Sequence, residues 1–191
     1  MRITAGKFKC QKINSIDSNE VRPTSSKVRE SIFNIIQSSI TDSVMLDLFA
    51  GSGCMGLEAL SRGAKKVVFI EKNPKVFKIL KENLNNFDCE HELYLCDAFV
   101  SLERMKNQKF NIIFVDPPYR LGYEFDVCKR VCDYNLLEED GLLIIEHLSK
   151  LDMEKLLQDL PLTLTKYKKY GDTALSIFEK LNANSPETPE N

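Results

Sequence analysis

No stretch of this chain approaches the roughly 18–20 consecutive apolar residues of a membrane helix. The first fifteen residues, MRITAGKFKCQKINS, carry basic side chains but no apolar core segment, so no secretory signal is expected. Six cysteines could pair, yet nothing points to export, and free thiols in the cytoplasm are the expectation. There is no internal repeat. No Ser/His/Asp nucleophile arrangement is legible. The two histidines, His91 and His147, stand isolated, and a bystander role is expected for His147 at its strand end. Cys128 and Cys132 have no second Cys/His pair nearby and share the apolar stripe of one helix, so core packing is expected there and no metal.

With 191 residues, 43% of them hydrophobic and 28% charged, the composition is that of one globular domain. Such a domain buries roughly 70% of the surface of its extended chain and needs no staples. Charge is unevenly spread. Residues 1–30 hold seven Lys/Arg against three Asp/Glu, a net of +4; the whole chain is −2, so the remainder carries −6. A basic segment on an acidic body suits a polyanion docking at one face, although a solvated charged segment accounts for the same numbers.

Apolar patterning alternates between strand and helix. A helix is expected over 24–40, where Val28, Ile32, Ile35, Ile36 and Ile40 recur at helical spacing after Pro23. Strands are expected at 44–49, 66–70, 93–96, 111–115 and 142–146, and two final strands at 163–167 and 174–179 meet near Gly171-Asp172. Helices are expected at 55–62, after Asn73-Pro74, at 98–106, around Cys128 and Cys132, and at 151–160. This is an α/β pattern: a mostly parallel sheet covered on both faces, with ligands at the carboxyl ends of its strands. The chain divides into a basic arm or hairpin at 1–22, a main domain at 23–181 and a tail at 182–191 that is expected to be disordered.

Gly51, Gly53 and Gly56 have the G-x-G-x-x-G spacing between an expected strand and helix, and Glu71 ends the next strand twenty residues after Gly51. Glycines let the backbone approach a ligand, and a carboxylate at that place accepts from ribose hydroxyls. Both features also fit a dinucleotide site, and a plain tight turn accounts for the glycines alone; with strand, helix and downstream acid in agreement, a nucleoside cofactor is expected. Asp47, four residues before Gly51, would repel a pyrophosphate at the helix N-terminus but suits the ammonium and sulfonium of S-adenosylmethionine. Asp97, at the end of the third strand, can accept from an adenine amine, cap the following helix, or do both.

The sharpest motif is Asp116-Pro117-Pro118-Tyr119, directly after a strand. Two prolines stiffen the backbone and donate no N–H. The Pro117 carbonyl and the Asp116 carboxylate are then two acceptors for the two hydrogens of a planar amine, and Tyr119 offers a ring for a base to stack on. Drawing an exocyclic amine toward tetrahedral geometry localises its lone pair and raises its nucleophilicity.

The glycine loop with D-P-P-Y resembles the class I S-adenosylmethionine-dependent amino-methyltransferases. More narrowly, the chain is similar to the bacterial 16S rRNA guanine-N2 methyltransferases, the RsmD family. The matching stretches are Arg22-Pro23-Thr24-x-x-Lys27-Val28-Arg29-Glu30-Ser31-Ile32-Phe33-Asn34, residues 47–64, Asp116–Tyr119 and Tyr170-Gly171-Asp172-Thr173-Ala174-Leu175. The resemblance implies a Rossmann-like, seven-stranded sheet with an antiparallel last strand. It implies methylation of one guanine, position 966 in the usual numbering, in the small-subunit rRNA. Asp47, Phe49, Gly51, Gly53, Glu71, Asp97 and Ala98 would hold the cofactor. Asp116, Pro117 and Tyr119 would orient and stack the base, and Arg22, Thr24, Lys27 and Arg29 would meet RNA phosphates. A monomer with no membrane partner is expected. Cys10-Gln11 stands where the family often has Gly-Arg, and Cys54-Met55 replaces smaller residues in the loop.

Other readings differ in what they require. A DNA adenine-N6 methyltransferase shares D-P-P-Y but usually adds a recognition region that this length barely allows. A protein-glutamine methyltransferase would more often show Asn at position 116. A dehydrogenase gives residues 116–119 no role, and a non-catalytic RNA-binding assembly factor needs neither Asp116 nor the glycine loop.

Overall fold

A computed structural model describes residues 1–15, 26–118 and 121–181, the Lys27 side chain excepted. Arg22, Thr24, Tyr119 and the expected tail at 182–191 lie outside the described residues. Seven strands form one sheet in the order β3-β2-β1-β4-β5-β7-β6. They are β1 (Val44–Asp47), β2 (Lys66–Glu71), β3 (His91–Leu95), β4 (Phe110–Val115), β5 (Leu137–Leu148), β6 (Leu162–Tyr170) and β7 (Thr173–Lys180). The first five run parallel. β7 lies between β5 and β6 and is antiparallel to both.

The central strands β1, β2 and β4 are apolar on both sides because helices cover both faces. Met45, Phe69, Phe114 and Ile144 pack with α1 (Ser26–Ile35) and α3 (Cys54–Ser61). Leu46, Val68, Val115 and Ile145 pack with α5 (Ala98–Arg104) and α6 (Glu124–Asp133). The remaining helices are α2 (Gln37–Ile40), α4 (Pro74–Leu84) and α7 (Met153–Leu156). Asn73 caps α4 as its sequence suggests, accepting from the amides of Lys75 and Val76, with Pro74 at the first helical position.

Three elements differ from their sequence reading. The helix expected over 24–40 is broken at Ile36 (φ −98°, ψ 17°) into α1 and α2. β5 is longer than 142–146, because Leu137 already pairs with Phe110 before a register shift brings Leu142 opposite Ile112. The helix at 151–160 shrinks to the one turn of α7.

Arg29 is the largest correction. Its expected place on an RNA-facing surface is wrong: the side chain is fully enclosed. Its Nε donates to Glu58 Oε2 at 3.2 Å and its Nη2 to the Arg2 carbonyl at 2.6 Å. Glu58, on α3 and equally enclosed, also accepts from the Thr4 amide (2.9 Å), the Thr4 hydroxyl, the Ala5 amide (3.2 Å) and Arg62 Nε (2.8 Å). Residues 1–13 are thereby held on the body, with an Arg2–Lys12 antiparallel bridge across them and Ile3 and Ile13 in the core. Cys10 turns the chain between those two residues at φ 70°, a left-handed conformation in which glycine is at ease.

Burial opposes the ionisation of Glu58, but the Thr4 hydroxyl and amide, Arg62 and Arg29 together outweigh it and hold its pKa below the ordinary 4.5. Its contribution to stability is therefore complete above about pH 4.5 and is lost as the pH falls through its lower folded value. Glu58→Ala strands the Arg29 guanidinium in the core, and denaturant unfolding at neutral pH should show a loss of about 3–5 kcal/mol. A loss under about 1 kcal/mol would mean that the pair is not holding this region together.

Candidate active site

A cleft of about 240 Å³ opens at the carboxyl ends of β1, β2 and β4, where the strand order reverses. Asp47, Phe49, Gly51, Glu71, Ala98, Asp116 and Pro118 all line it. The fold thus brings the glycine loop, the acid of β2 and the proline motif after β4 to one wall, although they are separated by as much as 71 residues of sequence.

Each group is held by identifiable bonds. Asp47 ends β1 and is 1% exposed; its Oδ2 accepts from the Gly56 amide at 3.0 Å, which ties strand to helix across the loop. Burial raises its pKa from 3.8 to about 7, against the Gly56 hydrogen bond and with help from the nearby Glu71 charge. Near neutrality its carboxyl is thus divided between acid and anion. Glu71 accepts the Gly51 amide on Oε2 (3.0 Å) and the Asn73 amide on Oε1 (2.7 Å). It clamps the loop against the end of β2 and still presents lone pairs to the cleft.

The glycines divide their work. Gly51 turns the chain at φ 55° on the cleft wall. Gly53 does not line the cleft. It is left-handed at φ 80°, and a side chain there would meet Leu80 Cδ1 at 2.4 Å. Gly56 lets α3 lie on β2, since a Cβ would fall 2.2 Å from the Phe69 ring.

Asp97 caps α5: Oδ1 accepts from the Phe99 amide (2.9 Å), and Oδ2 lies 3.9 Å from Lys72 Nζ. Its neighbours Cys96 and Ala98 line the cleft; Asp97 does not. Beyond β4, Asp116 and Pro118 face the cleft, while Pro117 is buried and does not line it. Of the residues expected to meet RNA, Lys27 is on α1, Arg29 is in the core, and Arg22 and Thr24 lie outside the described residues, as Tyr119 does. His147 is enclosed, with Nδ1 donating to the Leu148 carbonyl (2.9 Å) and Nε2 paired with Ser176 Oγ (2.9 Å). Among the described residues no group of three His, Cys, Asp or Glu is arranged to hold a metal.

Sequence reasoning missed Cys54, Met55 and Phe114 as cleft residues. Burial pushes the Cys54 thiol up to about 11, so it is neutral filling. It also missed Asn83, whose amide donates to the Ser52 carbonyl (2.9 Å) and the Asn14 carbonyl (3.0 Å) and accepts from the Asn14 amide (2.9 Å). That bridge ties the N-terminal segment to the glycine loop. The signal was present: Asn83 falls on the same helix face as Val76 and Leu80, and a polar residue on an apolar stripe needs a partner.

Known proteins share this architecture. The family model described as Conserved hypothetical protein 95 matches residues 1–179. The "Putative rRNA methyltransferase YlbH" of Bacillus subtilis is 34% identical over 184 residues, covering 94% of this chain and 99% of that protein. The "Ribosomal RNA small subunit methyltransferase D" of Escherichia coli strain K12 is 32% identical, covering 94% of this chain and 90% of its own length. A solved structure called "Putative methyltransferase yhhF" from Escherichia coli superposes with a TM-score of 0.82 at 30% identity, covering 94% and 97% of the two chains. The resemblance carried by the motifs is thus borne out over almost the whole length. The chain belongs to the Conserved hypothetical protein 95 family.

Proposed function

We propose that this protein transfers the methyl group of S-adenosylmethionine to the exocyclic N2 amine of a guanine in small-subunit rRNA, the guanine-966 type of reaction. One observation carries the reading: Asp116 and Pro118 open onto the same cleft as Gly51, Asp47 and Glu71, so a nucleoside cofactor and an amine-orienting motif share one space. The relatives named as rRNA methyltransferases support the substrate class.

S-adenosylmethionine supplies an electrophilic methyl on a sulfonium. The chain supplies position. Gly51, lacking a side chain, lets backbone come close to the ligand, and Glu71 accepts from the ribose hydroxyls. The anionic form of Asp47 faces the cationic amino-acid end, a place where a pyrophosphate would be opposed. Ala98 borders the adenine. Asp116 and the Pro117 carbonyl accept the two amine hydrogens, directing the lone pair at the methyl carbon, and Tyr119 stacks on the base. As the carbon–nitrogen bond forms, the carbon–sulfur bond breaks and the sulfonium becomes the thioether of S-adenosylhomocysteine. The surplus amine proton leaves to Asp116 or water. Bringing two reactants into line supplies much of the rate, and the target base must leave its stack to enter.

Asp116→Ala should cut single-turnover methylation of undermethylated small subunits at least about 100-fold while calorimetry finds S-adenosylmethionine affinity nearly unchanged. A near-normal rate would remove Asp116 from its assigned role. Glu71→Ala should weaken the cofactor by about 1.5–3 kcal/mol, because a charge-assisted pair of bonds is lost and the Gly51 amide loses its acceptor.

Asp47 gives the cofactor a pH signature. A bound ammonium favours the carboxylate, so affinity should rise as the pH climbs through about 7, with a proton released on binding below that point. Titrations in buffers of different ionisation enthalpy should detect the proton, and Asp47→Asn should abolish it. If S-adenosylmethionine produced no heat while NAD bound tightly, the methyltransferase reading would fail.

A further inference from the structure

The loss of Arg29 to the core leaves the phosphate-facing surface incomplete. The structure offers cations elsewhere on the same rim. β6 carries Lys166-Tyr167-Lys168-Lys169 in succession, all exposed, and residues 162–170 include no acid. Lys150, just after β5, is exposed beside them. Among the described residues, none of these four lysines forms an ion pair. The nearest polar commitment is one neutral bond, Lys168 Nζ to Ser31 Oγ at 3.1 Å.

Their placement ties them to the catalytic end of the sheet. Lys168 pairs with Leu175, and Leu175 with Glu146; Val115 pairs with Ile145, one residue before Glu146 and one before Asp116. Lys168 and Asp116 therefore stand in the same row, three strand spacings apart, or roughly 14 Å. The cluster shows both faces of β6. Lys168 and Tyr170 reach Ser31 on α1, the helix that also bears Lys27. Tyr167, 47% exposed, lies on the other side with its ring 6.4 Å from that of His147, and it borders a second hollow together with Lys150.

We infer that the carboxyl half of β6, with Lys150, is a docking surface for the single-stranded RNA that flanks the target base. This rests on the methyltransferase reading. Unpaired lysines interleaved with an exposed tyrosine match a phosphodiester backbone whose bases stack in passing. The surface is continuous through Ser31 with α1, so RNA leaving the pocket by Asp116 crosses it after a few nucleotides.

The test compares wild type with the Lys166→Ala/Lys168→Ala/Lys169→Ala variant and, separately, with Tyr167→Ala. The probes are a single-stranded rRNA oligonucleotide spanning the target and undermethylated small subunits. The triple variant should bind RNA more weakly, and its log–log salt slope should fall by about two, three contacts at roughly 0.7 each. The Tyr167 variant should lose about five- to a hundred-fold in affinity for the oligonucleotide with its salt slope intact. S-adenosylhomocysteine affinity should match wild type in both, and a Lys-to-Arg triple should restore the slope, which separates lost contacts from misfolding. An unchanged slope and affinity in the triple variant overturns the surface. So does self-association of that variant with unaltered RNA binding, because the lysines would then merely guard an edge strand. In both cases methylation by wild type leaves the functional reading standing; wild type that methylates neither probe overturns that reading itself.

Discussion

A carboxylate without water organises this molecule. Glu58 sits in the middle of α3 with five donors around it, drawn from the N-terminal segment, from α1 and from its own helix. Removing a carboxylate and a guanidinium from solvent costs several kcal/mol each, and such a pair persists where every lone pair finds a donor. The arrangement has a directional result. α3 begins at the glycine loop, so whatever fixes this helix fixes the loop before it. Asp47 holds the same helix from the sheet through the Gly56 amide, and Asn83 holds the Ser52 carbonyl from α4. The loop is thus secured from three sides before any ligand arrives, and little conformational entropy remains to be lost on binding.

Much of the architecture was legible because the parallel strands are buried on both faces and read as apolar runs. β1, β2 and β4 are of this kind, and each was placed within two residues at either end. β5 was legible only in part. Its first residues, Leu137-Glu138-Glu139-Asp140, are mostly acidic: Leu137 is buried opposite Phe110, while Glu139 and Asp140 stay exposed. Composition does not reveal a strand held in that way. α7 failed for the opposite reason: apolar residues between 151 and 160 pack against the sheet from a single turn and irregular backbone, so periodicity overstated the helix.

The site divided along a similar line. Asp47, Gly51, Glu71 and Asp116 were readable because each stands at a strand end, where chemistry is conventional for this class of sheet. By charge alone Arg29 resembles a surface cation, but its helical spacing places it inside. It falls on the stripe Arg29, Ile32, Phe33, Ile36, Ile40, every member of which is buried. An arginine on an apolar stripe announces a buried partner, and the partner lay 29 residues ahead, beyond any local pattern. Asp97 sits at a strand end and a helix start at once, and its Oδ1 takes the cap of α5.

The position of β7 has a consequence for the growing polypeptide. β5 receives its second neighbour from a strand made about thirty residues later, while β6, which leaves the ribosome earlier, must wait at a distance for β7 to fill the space between them. Until then the seven residues Leu142–Leu148 of β5, which later pair with β7, present an unpaired edge, and an open edge of that length is a template for wrong partners. Between residues 148 and 180 of synthesis that edge stands open, and a product stalled there would be a substrate for chaperones rather than a shorter enzyme.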